Sequence, residues 1–176
     1  PWPRVFYLAV SSVAETTGRP FDPRQVVALC EVLGDRRVIA ATPTVSGKWR
    51  IALAAHTASL ARGGRSYYTA PLKALVSEKF FELVRLFGAD NVGMVTGDTS
   101  INAAAPIICC TAEILANQSL REGEDMAVDR VIMAEVHYYA DPQRGWAGPV
   151  PTLGLPPAQL VPQAATLGDR TSILRD

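Results

Sequence analysis

The sequence predicts an α/β fold, with a mainly parallel β-sheet sandwiched by helices. Short apolar runs alternate along the chain with longer stretches of helical periodicity, and such alternation gives parallel strands joined by right-handed crossovers. Hydrophobic residues make up 48 % of the 176 residues, which is enough for a substantial core. We expect one domain over residues 1–176, in which 1–20 are an N-terminal lead-in and 144–176 a less regular C-terminal part.

Strands are predicted where apolar or β-prone runs are short and continuous. A strand that is covered on both faces of a parallel sheet has no need to alternate polar and apolar residues. The predicted strands are Val38–Ala41, Ser66–Ala70, Val92–Thr96, Ile107–Thr111, Val131–Met133 and, more weakly, Leu160–Ala165. Pro162 removes a backbone donor from the last of them, so we expect that strand to be short or broken.

Two long helices are predicted from apolar residues at helical spacing, and glycines end both. The first spans Lys48–Arg62 before Gly63, and the second spans Leu72–Phe87 before Gly88. A shorter helix is expected at Glu113–Leu120. The core-facing side of the second helix is formed by Leu75, Val76, Phe80, Leu83 and Phe87.

Composition excludes several classes of function. The 17 basic and 17 acidic residues give a net charge of zero, so any binding of nucleic acid has to come from a local patch. The three cysteines, Cys30, Cys109 and Cys110, lack Cys-x-x-Cys spacing, which argues against a disulfide framework and a zinc site, and no protein metal site is predicted. No run approaches the roughly eighteen apolar residues of a membrane span, so we expect a cytoplasmic protein without a membrane partner.

A strand, a Gly-Lys turn and a helix predict a phosphate-binding loop at Thr42–Lys48. Backbone N–H groups of such a loop and the helix N-terminus form a concave anion site, and Lys48 can reach the terminal phosphates. The match to Gly-x-x-x-x-Gly-Lys-Ser/Thr is partial, because Thr42 replaces the first glycine and Trp49 replaces the hydroxyl residue. An ordinary strand–helix turn is the alternative interpretation.

Further motifs follow in order, and the set resembles the DEAD/DEAH-box helicases of superfamily 2, in particular the DExH group related to exosome-assisting RNA helicases in its actinobacterial form. The resemblance covers about residues 17–169. The motifs that carry it are Thr42–Lys48 for motif I, Thr69–Leu75 for motif Ia, Thr96-Gly97-Asp98 for motif Ib, Cys110–Glu113 for the next nucleic-acid motif, Ala134–His137 for Asp-Glu-x-His, and Ala164–Thr166 for Ser-Ala-Thr.

The resemblance implies the first RecA-like, ATP-binding domain of a P-loop NTPase, with ATP as cofactor. It also implies two partners, a single strand of RNA or DNA and a second RecA-like domain, for which 176 residues leave no room. The chain is therefore expected to be a fragment or half-core. Glu135 and Lys48 would be the catalytic residues, and Glu135 would orient or deprotonate the attacking water. Gln25 would read adenine, and the phosphates would be bound by Thr44, Val45, Ser46, Gly47 and Lys48.

The resemblance also assigns residues to the nucleic acid and to coupling. His137 and Thr166 would couple the ATP site to the nucleic acid. Backbone N–H groups and short polar side chains that follow successive strands bind phosphate oxygens without reading bases. The nucleic-acid residues are expected to be Pro71, Lys73, Thr96, Gly97, Asp98 and Thr111. Structural roles remain open for Glu135 and His137, and Lys73 has a solvated lysine as its alternative.

The sequence departs from the family pattern where Mg²⁺ is held. In this chemistry a loop Ser/Thr and a strand-end Asp hold the ion, but Trp49 and Ala134 stand at those positions and neither side chain has an oxygen. Mg²⁺ binding is therefore expected to be weak or absent and hydrolysis impaired. Val45 stands where the family often has glycine, which is unfavourable if the loop needs a positive φ.

Two functions from different classes stay open on the sequence alone. One is a helicase ATP-binding domain that still binds nucleotide, which the motif set favours. The other is a non-catalytic RecA-like scaffold or nucleic-acid-binding module without ATPase activity, which Trp49 and Ala134 favour. A P-loop kinase or transferase is a third and remote alternative, because motifs Ia and Ib and the Glu-x-His arrangement argue against it.

Overall fold

The computed structural model describes residues 23–34, 45–135 and 158–163, together with positions 11, 13, 18 and 21. The helices bounded within these ranges are α1 Pro23–Leu33, α2 Val45–Ala61, α3 Lys73–Phe87 and α4 Ala112–Glu122. The strands are β1 Ser66–Ala70, β2 Val92–Val95, β3 Ser100–Ile101, β4 Ile107–Thr111, β5 Arg130–Met133 and β6 Gln159–Pro162. The predicted strand Val38–Ala41 lies outside the described residues.

The strands form one sheet in the order β3-β2-β4-β1-β5-β6. β1 pairs in parallel with β4 and β5, β2 with β4, and β5 with β6. Among the described strands, β3 alone runs antiparallel to its neighbour, β2. The predicted α/β class with a mainly parallel sheet is therefore confirmed, and the carboxyl ends of five strands share one edge, where such sheets bind ligands.

Helices cover both faces of the sheet and produce two apolar clusters. The first joins Leu29 of α1, Ile51 of α2 and Leu83 of α3 to the sheet. The second lies on the opposite face and joins Leu115 of α4 to Ile108 and its neighbours. The predicted layered arrangement, in which both faces are covered, explains why β1, β4 and β5 are buried along nearly their whole length.

The two long helices end where the glycines predict. Gly63, with φ 71°, follows α2, and Gly88, with φ 85°, donates its backbone N–H to Val84 O at 2.9 Å. Three residues of the predicted face of α3 are buried and the other two pack at its margin. α2 begins earlier than predicted, at Val45, whose backbone is helical. The concern that Val45 needs a positive φ therefore does not apply.

The last described strand, β6, covers part of the predicted strand Leu160–Ala165, of which positions 164 and 165 lie outside the described residues. It has four residues and ends at Pro162, which pairs with Met133. The ladder continues for one more contact, in which Gln163 N donates to Met133 O at 2.8 Å. Proline at position 162 costs no hydrogen bond to β5, because the donor to Met133 O is the backbone N of Gln163.

The three cysteines form no disulfide. All three are free; Cys109 and Cys110 are buried in β4 and Cys30 is exposed on α1. Burial raises the pKa of Cys109 to about 12, so its thiol is unreactive at neutral pH. A search of the described residues finds no helix of the length and apolarity that a membrane span requires.

A buried polar cluster joins α1, α2 and the sheet at the edge opposite the carboxyl ends. Arg130, 1 % exposed, donates from Nη1 to Ser59 Oγ and from Nη2 to Val32 O, both at 3.4 Å. His56 Nδ1 lies 2.8 Å from Ser66 Oγ. Burial, and then the charge of Arg130, lowers the pKa of His56 to about 3. His56 is thus a neutral structural residue.

This pKa predicts how stability depends on pH. The unfolded chain binds a proton at His56 below its ordinary pKa of 6.5, whereas the folded chain does so only near pH 3. The contribution of neutral His56 to stability is fully present above pH 6.5. Between pH 6.5 and about pH 3, the free energy of unfolding falls by about 1.4 kcal/mol for each pH unit. Chemical denaturation at a series of pH values measures this slope. His56→Gln should lose it, and identical slopes in the two proteins would contradict the assignment.

Candidate functional site

The residues predicted to bind phosphate form the first turn of α2. Val45, Ser46, Gly47 and Lys48 are the first four residues of this 17-residue helix. Backbone N–H groups in a first turn have no partner within the helix, and the helix dipole adds partial positive charge there. Lys48 is only 5 % exposed. The arrangement suits an anion. Thr44 lies outside the described residues.

Gln163 joins this first turn to the end of β5. Its side-chain Nε2 donates to Lys48 O at 2.8 Å, and its backbone N donates to Met133 O at 2.8 Å. The side chain is buried. Two parts of the candidate site that lie far apart in sequence are therefore tied together by one residue. Sequence analysis missed Gln163, for which the only signal was a polar residue between Pro162 and the Ala-Ala-Thr motif.

Ala134 and Glu135 leave β5 at the same edge. Ala134 is buried and its backbone N donates to Thr69 O at 2.9 Å. Glu135 is half-buried and has a φ of 54°. A non-glycine residue in the left-handed region is uncommon and is often found at functional sites, where the surroundings hold it. His137 and Thr166, the predicted coupling residues, lie outside the described residues.

Trp49 packs into the layer between α2, β1 and α3. Its ring meets Tyr68 edge-on, with centroids 5.9 Å apart at 89°. Lys79 Nζ lies 4.3 Å from the centroid of the Trp49 ring and 2.7 Å from Glu82 Oε2. Tryptophan thus occupies the position of the hydroxyl residue as part of the core.

The side chains do not fit a Mg²⁺ ion anchored by the protein. Trp49 offers a ring and Ala134 a methyl group, whereas Mg²⁺ requires oxygen ligands in near-octahedral geometry. Across the described part of the chain, no group of three His, Cys, Asp or Glu residues is close enough to hold a metal ion. At these two positions the protein therefore offers no oxygen ligand to a metal ion.

The structure brings motif Ia and motif Ib together. Lys73 Nζ contacts both carboxylate oxygens of Asp98, at 2.6 and 2.5 Å, and Thr96 Oγ1 donates to Asp98 Oδ1 at 3.0 Å. Hydrogen bonds from Lys73 and then from Thr96 hold the pKa of Asp98 below its ordinary value. Lys73 and Asp98 are exposed. The Asp98 carboxylate therefore accepts hydrogen bonds from Lys73 and Thr96, two of the residues that were predicted to bind nucleic acid.

The remaining predicted nucleic-acid residues lie along the same edge. Thr111 ends β4, which lies between β1 and β2 in the sheet. Pro71 follows β1 and is half-buried, and Gly97 is exposed in the turn after β2. Together they form a row across the carboxyl ends of three neighbouring strands.

Gln25, the predicted adenine-reading residue, contacts an arginine. Arg50 of α2 donates from Nη1 to Gln25 Oε1 at 3.1 Å, and its guanidinium carbon lies 3.9 Å from the centroid of the Phe21 ring. Gln25 and Arg50 are each 7 % exposed. Sequence analysis named Gln25 but missed Arg50, whose signal was a second charged residue, two positions after Lys48, at the start of a long apolar stretch of the helix.

Comparison with known proteins identifies relatives over most of the chain. A sequence model of the DEXQ-box helicase domain of Suv3 matches residues 26–161. The chloroplastic DExH-box ATP-dependent RNA helicase DExH15 of Arabidopsis thaliana is 43 % identical over 132 residues, which is 70 % of this chain and 11 % of that protein. The probable helicase HelY of Mycobacterium tuberculosis is 38 % identical over 109 residues, or 61 % of this chain and 12 % of that protein.

A third relative and a solved structure agree with these. The ATP-dependent RNA helicase mtr4 of Schizosaccharomyces pombe is 38 % identical over 133 residues, 75 % of this chain and 12 % of that protein. The chain thus spans only a small part of these relatives. The crystal structure of the DUF1998 helicase MrfA bound to DNA and AMPPNP matches 94 % of this chain and 27 % of that chain, with a TM-score of 0.71 and 18 % identity. At that identity the match shows the fold alone.

The packing of Trp49 predicts a cost in stability when the hydroxyl residue is restored. Trp49→Ser removes the edge contact with Tyr68 and the cation–π contact with Lys79, so the free energy of unfolding should fall by about 2–3 kcal/mol. Trp49→Phe keeps an aromatic ring and should lose less than half of that. Urea denaturation of the three proteins measures both. Equal stability of Trp49→Ser and the native chain would contradict this packing role.

Proposed function

Because the chain belongs to the DEXQ-box helicase domains of superfamily 2, we propose that it binds ATP at the first turn of α2 and single-stranded RNA or DNA along the carboxyl edge of β1, β4 and β2. We further propose that this chain alone hydrolyses ATP at no more than a background rate. Its function is then to bind nucleotide and single-stranded nucleic acid as one part of an ATP-dependent helicase.

One observation carries the nucleotide part of the proposal. Lys48 lies in a helix first turn that Gln163 ties to the end of β5, directly before Glu135. A phosphate group at this turn would meet backbone donors, the positive end of the helix dipole and a buried ammonium group. None of these interactions needs a metal ion, so nucleotide binding can persist without protein ligands for Mg²⁺.

Two residues of the chain support the loss of hydrolysis, because Trp49 and Ala134 lack the side-chain oxygens that anchor Mg²⁺ in this chemistry. In the family mechanism an arginine finger from a second RecA-like domain also acts on the transferring phosphoryl group. Such a finger contributes roughly 10³–10⁵ in rate. These losses act on one transition state and are not additive. Glu135 can still orient a water molecule, but charge on the transferring phosphoryl group would lack its counter-charges.

A non-catalytic scaffold is the second candidate function. The packing of Trp49 against Tyr68 and Lys79 supports it, because that position serves the core. A scaffold of this kind would keep the fold and the strand-binding edge and would not bind nucleotide. Nucleotide titration separates the two functions.

We expect ATP to bind with an affinity that Mg²⁺ hardly changes. Lys48→Ala should lose at least about tenfold in affinity, because it removes the charge that contacts the phosphates. The double variant Trp49→Ser with Ala134→Asp should gain Mg²⁺-dependent binding but little turnover. Calorimetric titration with and without Mg²⁺ measures binding, and phosphate release with saturating RNA or DNA measures turnover. Robust stimulated turnover by the native chain would contradict the proposal.

Because Lys73 pairs with Asp98, substitutions of these two residues should have opposite effects on the binding of single-stranded nucleic acid. Lys73→Ala should weaken binding and reduce the salt slope by about one, because one phosphate contact is lost. Asp98→Asn should strengthen binding several-fold at low salt, because it frees Lys73 from a competing carboxylate. Fluorescence anisotropy with a short labelled oligouridylate measures both. Arg121→Ala, which removes a positive charge at the far end of α4, is the matched control. If it weakened oligonucleotide binding as much as Lys73→Ala does, the phosphate contact would not be specific to Lys73.

A further inference from the structure

The Arg50 guanidinium lies between an aromatic ring and a carboxamide. It lies over the Phe21 ring at 3.9 Å and donates to Gln25 Oε1 at 3.1 Å, with Arg50 and Gln25 each only 7 % exposed. The group is therefore stacked on one side and hydrogen-bonded along its edge. Phe21 and Gln25 together suit a planar group that stacks on a ring and donates hydrogen bonds from its edge.

A purine base makes the same two kinds of contact. Adenine has a flat face that stacks on an aromatic ring, and its N6 amino group donates to a glutamine oxygen in the standard bidentate pairing. The guanidinium is planar, carries N–H donors along its edge and stacks on aromatic faces. Arg50 thus satisfies both Phe21 and Gln25 with the chemistry that an adenine would use.

The location fits the nucleotide site. Arg50 lies two residues after Lys48 in α2, about 3 Å further along the helix axis. Phe21 and Gln25 contact α2 through Arg50, which lies within the first two turns of the helix whose N-terminus would bind the phosphates. A base that used the same face of Phe21 and the same position at Gln25 Oε1 would have to displace the Arg50 guanidinium from both contacts.

We infer that Arg50 is an internal competitor for the base and that it sets the nucleotide specificity of the site. The inference rests on the proposed function, because it concerns the base end of a nucleotide whose phosphates lie at Lys48. While Arg50 occupies Phe21 and Gln25, binding energy comes from the phosphates and the base contributes little. ATP, GTP and tripolyphosphate then bind with similar affinity.

The test compares ATP, GTP and tripolyphosphate in calorimetric titrations of the native chain and of Arg50→Leu. We expect the native chain to bind all three within about threefold of one another. Arg50→Leu should bind ATP about tenfold tighter than tripolyphosphate, since the base gains the stacking face and the amide oxygen, and GTP should gain less because its O6 cannot donate to Gln25. Arg85→Leu, which removes an exposed charge on α3, should leave all three affinities unchanged.

Arg50→Lys keeps the charge and gives a second route if the leucine variant does not fold. A lysine lacks the planar fork, so it should raise the ratio of ATP to tripolyphosphate affinity in the same direction by a smaller factor. A ratio that stays unchanged in both variants, or a native chain that already prefers ATP tenfold, overturns the inference while leaving nucleotide binding intact. Failure of every protein to bind any of the three ligands overturns the proposed function and this inference with it.

Discussion

The burial of α2 is the constraint on which the rest of the structure depends. This helix lies against the sheet between α1 and α3, and its central residues from Ile51 to Ala55 are almost completely inaccessible to solvent. Polar contacts hold it along its length. They are Gln163 to Lys48 O, Arg50 to Gln25, His56 to Ser66 and Arg130 to Ser59. Because each contact reaches a different element, the first turn of α2 cannot shift without disturbing several of them.

This constraint bears on Trp49 and Ala134, the residues at the two positions that were expected to hold Mg²⁺. Trp49 fills space between α2, β1 and α3 that a small hydroxyl residue would leave to neighbouring side chains, and Lys79 covers its ring. Ala134 is buried where a carboxylate would need a counter-charge. Both residues favour packing over metal binding. The first turn of α2 keeps the backbone N–H groups and the lysine that we propose to bind phosphate.

The sequence predicted the layers well and the contacts within the site less well. Strand positions and the glycine ends of α2 and α3 follow from local periodicity and turn chemistry, which act over a few residues. Gln163 and Arg50 were missed because their roles depend on partners 115 and 25 positions away, and no local pattern encodes such pairs. The start of α2 was placed too late for a different reason. Ser46 and Gly47 are poor helix formers, so propensity delays a helix that tertiary packing stabilises from Val45 onward.

Three buried cations connect the stability of the fold with its affinity for anions. Lys48, Arg50 and Arg130 are each less than a tenth exposed, and burying a charge costs free energy unless polar groups or counter-charges compensate it. Arg130 contacts a hydroxyl and a carbonyl at the amino edge of the sheet, and Arg50 contacts an amide and an aromatic ring. Lys48 differs, because its charge is in the first turn of a helix, where the dipole is positive as well. The Lys48 ammonium group and the positive end of the helix dipole lie in the same buried turn, and both favour an anionic ligand. An anion bound there would therefore also stabilise the surrounding helix.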